Sequence, residues 1–355
     1  MPRLVLGSDA TRLSVVIVTY NSATAIAASL PPLVAQLVEG DELIVVDNAS
    51  VDQTLELVPR LAPGAMVIPN PHNHGFSAGA NLGARQASGD LLLFLNPDAT
   101  PAAGFARAIR RPLTEEPSWA AWMGLVTAES GRIVNTNGGV VHFTAIAWAG
   151  EAGAPAPGTV DGPREVGFVS GACLAVPRAT WERVGGFAED FFMYHEDVDL
   201  SLRLRLGGGR LGIEPSAIVD HDYEFAKGLA KWRYLERNRW ATILRTYPGV
   251  LLALLAPALV ATEIALVVLA AANGWAPQKL RASGETIVAL PRLLRQRRAI
   301  QASRAISPLE FVRWLTPDLD SAFLGRVATL GALRAALRGY WALVLLALRI
   351  APRRP

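Results

Sequence analysis

Cysteine is nearly absent from this sequence: Cys173 is the single one in 355 residues. One cysteine excludes an internal disulfide and a CxxC metal site, and it favours a reducing compartment. The N-terminal stretch MPRLVLGSDATRL lacks the apolar core of a signal peptide, so we expect the catalytic part to be cytoplasmic. No GxGxxG fingerprint follows the first apolar run, where TYNSATA stands instead, which argues against an NAD-dependent enzyme.

Charged residues are also scarce, at 18%, while 51% of residues are hydrophobic and the mean hydropathy is +0.27. The net charge of +3 conceals an asymmetry, because residues 275–355 hold 14 Lys and Arg against 4 Asp and Glu, a local net of +10, which leaves −7 for residues 1–274. A basic tail can meet nucleic acid or an anionic membrane. The 23-residue apolar run from Val250 to Ala272, with Glu263 as its one charge, favours an anionic membrane surface and no nucleic acid.

Short β-branched runs alternate with longer helical segments over the first half of the chain. This alternation predicts an α/β fold with a mostly parallel sheet flanked by helices. Composition shifts near residue 247, which predicts a catalytic domain over 1–247 and a helical, apolar and basic extension over 248–355, associated with the membrane. A second apolar run at 340–350 extends the tail, in a helix predicted to start near Leu324. The predicted strands are LSVVIVTYN, ELIVVDN, MVIPN and DLLLFLNPD.

The middle of the chain is less regular. Residues 119–163, rich in Gly, Ala and Pro, are interpreted as irregular and as a flexible loop. After them the sequence predicts a strand, a Pro-initiated helix with a Gly stop, and one more short strand that ends near His221.

Polar residues follow the predicted strands where a parallel sheet binds its ligands. The first strand is followed by Thr19, Tyr20 and Asn21, the second by Asp47, and the fourth by Asn96 and Asp98. Asp47 is suited to a nucleobase or ribose, although a turn or helix cap is the commoner fate of such a residue. In the Gly-rich segment 72–90, Asn81 is the polar residue that can reach a donor, while small residues at helical spacing usually serve packing.

Two acidic motifs indicate group transfer from a nucleotide-activated donor. Asp98 can bridge to Mg²⁺ or Mn²⁺ held by a diphosphate, with His221 as a further ligand; the alternatives are a helix cap and a strand-end histidine. Asp197 in HEDVD has Glu196 and Asp199 beside it, which should raise at least one carboxyl pKa and suit a base. The alternative is that these acids favour a helix N-terminus, with Arg203 pairing with Asp199.

Six segments in order closely resemble family 2 glycosyltransferases, above all their bacterial rhamnosyltransferase-like branch. The resemblance covers residues 13–247 and implies a GT-A fold with inverting transfer from a nucleoside-diphosphate sugar, dTDP- or UDP-linked. The segments are TYNS at 19–22, VVDNASVDQT at 45–54, NHGFSAGANLG at 73–83, LNPDA at 95–99, SGACLAVPR at 170–178 and GGFAEDFFMYHEDVDLSLRLRLGG at 185–208.

The resemblance also assigns roles to individual residues. It implies that Thr19, Tyr20, Asn21 and Asp47 contact the nucleotide, with Asn81 and Asn96 on the donor side. It makes Asp98 and His221 ligands of a divalent metal, Asp197 the catalytic base, and Glu196 and Gly171 part of the acceptor side. Asn96 departs from the plain DxD pattern and leaves the metal one carboxylate fewer, so the strictness of metal dependence stays open.

Relatives in this branch act on polyprenyl-linked sugars at the inner membrane. The resemblance therefore implies a glycan or polyprenyl-linked acceptor in cell-envelope polysaccharide synthesis, with rhamnose as the candidate sugar. It places the protein at the cytoplasmic face of the inner membrane, peripheral or with a single span, and leaves a homo-oligomer open. The alternatives are a sugar nucleotidyltransferase, which needs a Gly-rich, Arg-containing loop after the first strand, and a non-catalytic membrane scaffold.

Overall fold

The structure, a computed structural model, describes residues 11–158, 161–222, 228–320 and 331–350. The strands are β1 (Leu13–Thr19), β2 (Glu42–Asn48), β3 (Met66–Asn70), β4 (Leu91–Leu95), β5 (Thr100–Pro101), β6 (Trp119–Ala128), β7 (Ile133–Thr136), β8 (Gly139–His142), β9 (Ala147–Ala149), β10 (Arg164–Glu165), β11 (Cys173–Pro177), β12 (Arg210–Asp220) and β13 (Leu315–Thr316). The helices are α1 (Ala23–Val34), α2 (Thr54–Leu61), α3 (Gly75–Gln86), α4 (Phe105–Ala108), α5 (Pro112–Glu115), α6 (Arg178–Val184), α7 (Glu196–Leu206), α8 (Ala230–Thr246), α9 (Gly249–Ala272), α10 (Ala276–Ala302), α11 (Pro308–Phe311) and α12 (Gly331–Ile350).

The main sheet has ten strands in the part of the chain that the structure describes. Eight of them follow the order β10-β12-β6-β11-β4-β1-β2-β3, while β5 pairs with β12 and β7 with β6. β1 runs parallel to β2 and β4, and β6 runs parallel to β12. β11 is antiparallel to both of its neighbours, β4 and β6. The predicted α/β sheet is therefore confirmed, but it is mixed: six of its ten strands run in one direction, and β5, β7, β10 and β11 run in the other.

The four strands predicted in the first half of the sequence are all present. Every residue of β1 and β4 is buried, as expected for apolar strands covered on both faces by helices. α3 packs closely on β1 because of its glycines: a Cβ at Gly83 would lie 2.5 Å from Val16 Cγ1, and one at Gly79 would lie 2.8 Å from Val18 Cγ1. The glycines of α3 thus serve packing, which the sequence had left as the commoner alternative to binding.

The prediction of an irregular segment over residues 119–163 is wrong for its first part. β6 is a ten-residue strand, buried throughout, in the interior of the sheet. Gly124 in this strand is required because a Cβ there would lie 2.2 Å from the carbonyl oxygen of Ala217. The strand predicted to end near His221 is also longer than expected, since β12 has 11 residues.

A second hydrophobic core joins the C-terminal helices to the catalytic part. Leu251, Leu255 and Leu259 of α9 belong to it, together with Val198 of α7 and Tyr247. The predicted boundary at residues 247–248 falls between α8 and α9, inside this shared core. The extension therefore packs on the catalytic domain, and the predicted start of the last helix near Leu324 lies outside the described residues.

Within the described ranges, two helices, α9 and α12, are long and apolar enough to cross a membrane, with mean hydropathies of 2.4 and 1.3. In each helix, 17% of the most apolar 18-residue segment is buried inside the protein. The side chain of Tyr340 in α12 donates a hydrogen bond to the carbonyl of Leu254 in α9. Length and composition alone make these helices weak evidence for membrane association.

Four charged side chains form a largely buried network beneath α9. Arg239 and Lys279 each pair with Glu236 and with Glu263, the single charge of α9. Lys279 Nζ lies 2.7 Å from Glu263 Oε2, and Arg239 Nη2 lies 2.9 Å from Glu236 Oε2. Burial opposes the ionisation of Glu236, but Arg239 and Lys279 outweigh burial and hold its pKa at about 2. The network fixes α9 to α8 and α10 through charge pairs shielded from water.

We expect Glu236→Gln to lower the free energy of unfolding by about 3 kcal/mol, because Arg239 and Lys279 would keep only Glu263 as a counter-charge. Since the pKa of Glu236 is depressed, its stabilisation is present above its ordinary value of 4.5 and disappears as the pH falls toward 2. Urea denaturation at neutral pH measures the effect, with Glu56→Gln on the exposed surface of α2 as the control. Equal stability of the two variants would contradict the assignment.

Candidate active site

The site is set by the place where the strand order of the sheet reverses. β1 lies between β4 and β2. The chain leaves β1 toward β2 on one side of the sheet, and it leaves β4 toward β6 and β11 on the other side. Ligands of open α/β sheets bind at this point, outside the carboxyl ends of the strands. Thr19 is the last residue of β1, Asp47 is the second-last residue of β2, and Asn96 and Asp98 follow β4. These predicted site residues are therefore brought to one edge.

The predicted nucleotide side is an ordered loop pair. Thr19 Oγ1 donates to Asp47 Oδ1 at 2.8 Å, and the amide of Ser50 donates to Asp47 Oδ2 at 2.9 Å. Asn21 has a left-handed φ of 49° and its Oδ1 accepts a hydrogen bond from the amide of Val51. Asp47 is fully buried, so its carboxylate orders both loops, whereas the ring of Tyr20 is 53% exposed at the edge. Of Tyr20 and Asp47, Tyr20 is therefore the residue that a ligand at this edge could contact directly.

Asn81 of α3 makes its hydrogen bonds to Phe187 and Glu189. Its Nδ2 donates to the carbonyl of Phe187 at 2.9 Å, and its Oδ1 accepts from the amide of the same residue at 2.9 Å. Nδ2 also donates to Glu189 Oε1. This geometry favours a structural role, in which Asn81 ties α3 to the loop that precedes α7. It gives no support to the prediction that Asn81 contacts the donor.

Asp98 and His221 meet across the sheet edge. His221 Nε2 lies 3.0 Å from Asp98 Oδ1, and Asn96 Nδ2 lies 3.3 Å from the same nitrogen. Asn135 Nδ2 donates to the carbonyl of His221 at 2.8 Å and thereby helps to fix its position. The imidazole is buried, whereas the carboxylate of Asp98 is 40% exposed and opens to the edge. One buried ring nitrogen and one carboxylate oxygen of a partly exposed side chain therefore converge at the edge.

These two residues fit a divalent cation of the Mn²⁺ type, which accepts both imidazole and carboxylate ligands. Among the described residues, no group of three or more His, Cys, Asp or Glu side chains is arranged to hold a metal ion. The remaining ligands would have to come from a diphosphate and water, as is usual for Mg²⁺ sites on nucleotides. The geometry is thus compatible with the predicted metal role of Asp98 and His221.

Asp197 lies at the start of α7, in the first turn. Its Oδ2 accepts a hydrogen bond from the amide of Gly171 at 3.1 Å, and its Oδ1 accepts one from the amide of Val198 at 2.8 Å. Burial raises the pKa of Asp197 above its ordinary value despite these hydrogen bonds. A carboxylate with a raised pKa is a stronger base, which suits deprotonation of an alcohol.

Glu196 beside it has one carboxylate oxygen, Oε2, that is buried without a hydrogen-bond partner. Burial and then the charge of Asp197 raise the pKa of Glu196 to about 8, so it is protonated at neutral pH. The predicted upward shift of a carboxyl pKa in this motif is confirmed. Asp199 instead pairs with Arg203 at 2.7 Å, which confirms the alternative reading of that acid.

Two backbone contacts connect the metal side to the base side. The amide of Asn96 donates to the carbonyl of Ala172 at 3.1 Å, and the amide of Gly171, the residue before Ala172, donates to Asp197 Oδ2 at 3.1 Å. β4 and β11 are hydrogen-bonded neighbours, with Leu95 opposite Cys173. Asp98 and Asp197, about a hundred residues apart in sequence, thus flank the same strand pair at the same edge.

Asn238 of α8 was missed by the sequence analysis. Its Nδ2 donates to the carbonyls of Phe191, Met193 and Tyr194 at 3.0, 2.9 and 2.7 Å. The loop it holds is strained, because Phe192, Tyr194 and His195 all have φ between 66° and 69°. This loop leads directly into Glu196 and Asp197. An isolated Asn in a helix forty residues downstream carries no sequence signal for such a role.

We expect Asn238→Asp to lower kcat by about 10- to 100-fold, because the loop would lose the donors that hold its three carbonyls and Asp197 would shift. The donor KM should change little, since the nucleotide side is built from other loops. Steady-state kinetics separate the two parameters, and a thermal melt checks that the variant is folded. A rise in donor KM with unchanged kcat would argue against a positioning role.

Comparison with known proteins identifies a domain in the first half of the chain. The family model described as glycosyl transferase family 2 matches residues 14–138, from β1 to the end of β7. The chain carries a family 2 glycosyltransferase domain. This match includes Thr19, Asp47, Asn96 and Asp98, and it ends before Asp197 and His221. The resemblance drawn from the motifs is thereby confirmed, and the protein is a glycosyltransferase.

Similar proteins include further glycosyltransferases. An N-acetylglucosaminyl-diphospho-decaprenol L-rhamnosyltransferase of Mycobacterium tuberculosis is 27% identical over 254 residues, which cover 65% of this chain and 83% of that protein. Solved structures share the fold at low identity. GalNAc-T7 with UDP, GalNAc and Mn²⁺ has a TM-score of 0.57 at 15% identity, covering 69% of this chain and 50% of that one. Staphylococcus aureus TarS with UDP-GlcNAc has a TM-score of 0.55 at 17% identity, covering 95% and 91%. The expected GT-A fold of the family 2 domain is confirmed.

Proposed function

We propose that this glycosyltransferase moves a sugar, with rhamnose as the first candidate, from a dTDP- or UDP-sugar to a hydroxyl of a polyprenyl-diphosphate-linked glycan, with inversion. The observation that carries the proposal is the joint position of Asp98 and Asp197 at one sheet edge, linked by the Asn96–Ala172 and Gly171–Asp197 contacts. The acceptor class is supported by the M. tuberculosis relative, whose name specifies a diphospho-decaprenol acceptor. Synthesis of cell-envelope polysaccharide is the corresponding role.

In the mechanism, Asp197 takes the proton of the acceptor hydroxyl as that oxygen attacks the anomeric carbon from the face opposite the leaving group. Asp98 and His221 would hold a divalent cation, which would bind the diphosphate of the donor and neutralise charge on it as it departs. Glu196, whose pKa burial raises to about 8, is protonated at neutral pH and adds no second negative charge beside Asp197. The amide of Gly171 keeps the carboxylate of Asp197 oriented toward the acceptor side.

The direct test is transfer in vitro. The full chain is incubated with Mn²⁺, a panel of dTDP- and UDP-sugars, and N-acetylglucosaminyl-diphospho-lipid carrying a short polyprenyl chain. Mass spectrometry should show the acceptor heavier by one sugar, and NMR of the product should show inverted anomeric configuration. Retained configuration, or nucleotide-sugar synthesis from a sugar phosphate, would contradict the proposal.

We also infer association with an anionic membrane through α9 and α10, at the cytoplasmic face. α9 exposes Val260, Ile264, Val267 and Val268, and α10 exposes Ile287 and Val288 at 71% and 83%. An apolar surface of this extent is uncommon on a soluble monomer. The basic side chains of α10 that adjoin it suit anionic headgroups and the cytoplasmic side; these are Arg281, Arg292, Arg295 and Arg298.

A position along the interface is favoured over a span. Glu263 in the middle of α9 is held by Arg239 and Lys279, while Val260, Ile264, Val267 and Val268 of the same helix are exposed. Insertion of α9 across the bilayer would carry this charged network into hydrocarbon, at a cost of several kcal/mol for each charge. A helix lying in the plane keeps the charges on the protein side.

We expect the double variant Ile287→Asp and Val288→Asp to lose about 10-fold or more of its affinity for phosphatidylglycerol vesicles, because two charges would enter the lipid-facing surface. Vesicle flotation of the full chain measures binding. Val38→Asp, on the exposed surface of the catalytic domain, is the control. Undiminished flotation of the double variant would place the membrane contact elsewhere.

A further inference from the structure

Three arginines converge on one carboxylate between α8 and α10. Arg233 Nε donates to both oxygens of Glu285, at 2.8 and 3.0 Å. Arg281 Nε donates to Glu285 Oε1 at 3.2 Å, and Arg237 Nη1 lies 3.7 Å from Glu285 Oε2. We call Arg233, Arg237 and Arg281 the arginine cluster. A structural bridge to Glu285 needs one of these guanidinium groups, so the cluster carries surplus positive charge.

The neighbouring ion pair does not remove this surplus. Arg292 Nη1 lies 3.1 Å from Asp190 Oδ1, so the charge of Asp190 is already paired with Arg292. Among the described residues, the cluster and this pair together therefore hold four arginines against two acids. Burial lowers the pKa of Arg237, and the nearby charge of Arg233 lowers it further, as expected where like charges are close. Guanidinium groups in such an arrangement match the oxygens of a phosphate.

The arginine cluster borders the loop that leads to Asp197. Arg237 Nη2 donates to the carbonyls of Asp190 and Phe191 at 2.9 and 2.8 Å. The ring of Tyr234, between two of the arginines in sequence, stacks on Phe192 with centroids 5.2 Å apart. Phe192 in turn accepts a hydrogen bond from the amide of Ser77 in α3, which begins at the carboxyl edge of the sheet. The cluster thus adjoins the acceptor side of the site.

On its other side the cluster adjoins the lipid-facing surface. Arg281 follows Leu280, which is 67% exposed, and its own side chain is 64% exposed. Val288, which is 83% exposed, lies three residues after Glu285 and therefore beside it on the surface of α10. A ligand bound here would have apolar surface on one flank and the catalytic loop on the other. Lipid-linked diphosphates have this order of parts, with the chain in the bilayer, the diphosphate at the interface and the sugar beyond it.

We propose that the arginine cluster binds the diphosphate of the lipid-linked acceptor and thereby delivers its sugar to Asp197. This inference rests on the proposed function for the identity of the acceptor. Its physical content is a diphosphate site separate from the donor's, which Asp98 and His221 serve on the other side of Asp197. Electrostatic attraction to the acceptor's diphosphate also selects lipid-diphosphate acceptors over neutral glycans.

The test compares Arg233→Gln and Arg281→Gln, alone and together, with Arg295→Gln. Arg295 is an exposed arginine of the same helix, outside the cluster, so its variant makes the same change in charge. Binding of the full chain is measured by flotation with vesicles that contain a polyprenyl diphosphate, and with phosphatidylglycerol vesicles of equal surface charge. We expect the double cluster variant to lose about 10-fold in affinity for the diphosphate vesicles relative to the double variant Arg295→Gln and Arg298→Gln, which removes the same two charges from exposed positions of α10, because charge-assisted hydrogen bonds are lost. On phosphatidylglycerol each cluster single variant should equal Arg295→Gln.

Kinetics distinguish a failed site from a failed function. In the transfer assay, the cluster variants should raise the KM for the diphosphate-linked acceptor about 10-fold and leave the donor KM unchanged. Selective loss of diphosphate-vesicle binding would support the site even if wild-type protein transfers no sugar to this acceptor. Equal behaviour of the cluster variants and Arg295→Gln on both kinds of vesicle would overturn the inference, even with wild-type transfer intact. Competition by inorganic pyrophosphate as strong as that by lipid diphosphate would show a free-anion site and would also overturn it.

Discussion

Asp197→Asn should reduce kcat for sugar transfer by about 1,000-fold, while the folded structure and the donor KM stay close to those of the wild type. The asparagine keeps the size of the side chain, and its carbonyl oxygen can still accept the hydrogen bond from Gly171. It cannot accept the proton of the acceptor hydroxyl. Steady-state transfer assays measure the loss, and Asp90→Asn at the opposite end of β4 is the matched control.

Two further measurements make the Asp197 assignment specific. Because burial raises the pKa of Asp197, kcat/KM of the wild type should fall on the acid side at a pH above the ordinary aspartate value of 3.8. The base must be ionised, so activity is lost as the pH drops through this raised pKa. Glu196→Gln should retain far more activity than Asp197→Asn, since Glu196 is already protonated at neutral pH. Full transfer by Asp197→Asn would reject Asp197 as the base. Loss of activity in Glu196→Gln as large as that in Asp197→Asn would also reject it.

Asp98→Asn should lower kcat/KM by about 100-fold at limiting Mn²⁺, because the accessible carboxylate of the proposed metal pair would be replaced by a neutral amide. With Asn96 already in place of a carboxylate, the site would then hold no acid from the DxD-like motif. His221 Nε2 would remain, and we expect saturating Mn²⁺ to restore part of the activity. The measurement is a Mn²⁺ titration of the transfer rate at fixed donor concentration.

A readout other than activity separates metal binding from catalysis. Water-proton relaxation reports Mn²⁺ bound to the protein in the presence of UDP. Both Asp98→Asn and His221→Ala should weaken that binding, and Asp90→Asn should leave it unchanged. Wild-type activity that survives complete chelation, together with a fully active Asp98→Asn, would show that the donor is held without a metal.

Much of the catalytic half could be predicted because its signals are local. The strands β1 to β4 are continuous apolar runs that end in polar residues, and the rule that parallel strands bind ligands at their carboxyl ends then places Thr19, Asp47 and Asp98 together. β6 escaped prediction because a buried strand rich in Ala and Gly resembles a loop by composition. Its identity depends on long-range pairing with β11 and β12, which no window of the sequence contains.

The roles of individual polar residues depended more on tertiary contacts. Asn81 has the same side chain whether it faces a donor or ties α3 to Phe187, and only the fold brings Phe187 to it. Glu263 interrupts an apolar run and therefore indicates a kink or an interfacial helix. Its pairing with Arg239 and Lys279 depends on how α8, α9 and α10 pack, and that packing decides which face of α9 remains apolar.

The fold class, the resemblance to family 2 glycosyltransferases and the two acids proposed for the chemistry could all be predicted from the sequence, since they reside in short motifs and in the period of the apolar residues. The raised pKa of Glu196, the hold of Asn238 on the strained loop and the sharing of Glu285 by three arginines became visible only in the folded chain. Burial and charge pairing depend on distances between segments far apart in the chain. Hydrophobic periodicity fixes which faces are covered, but not which residues meet beneath them.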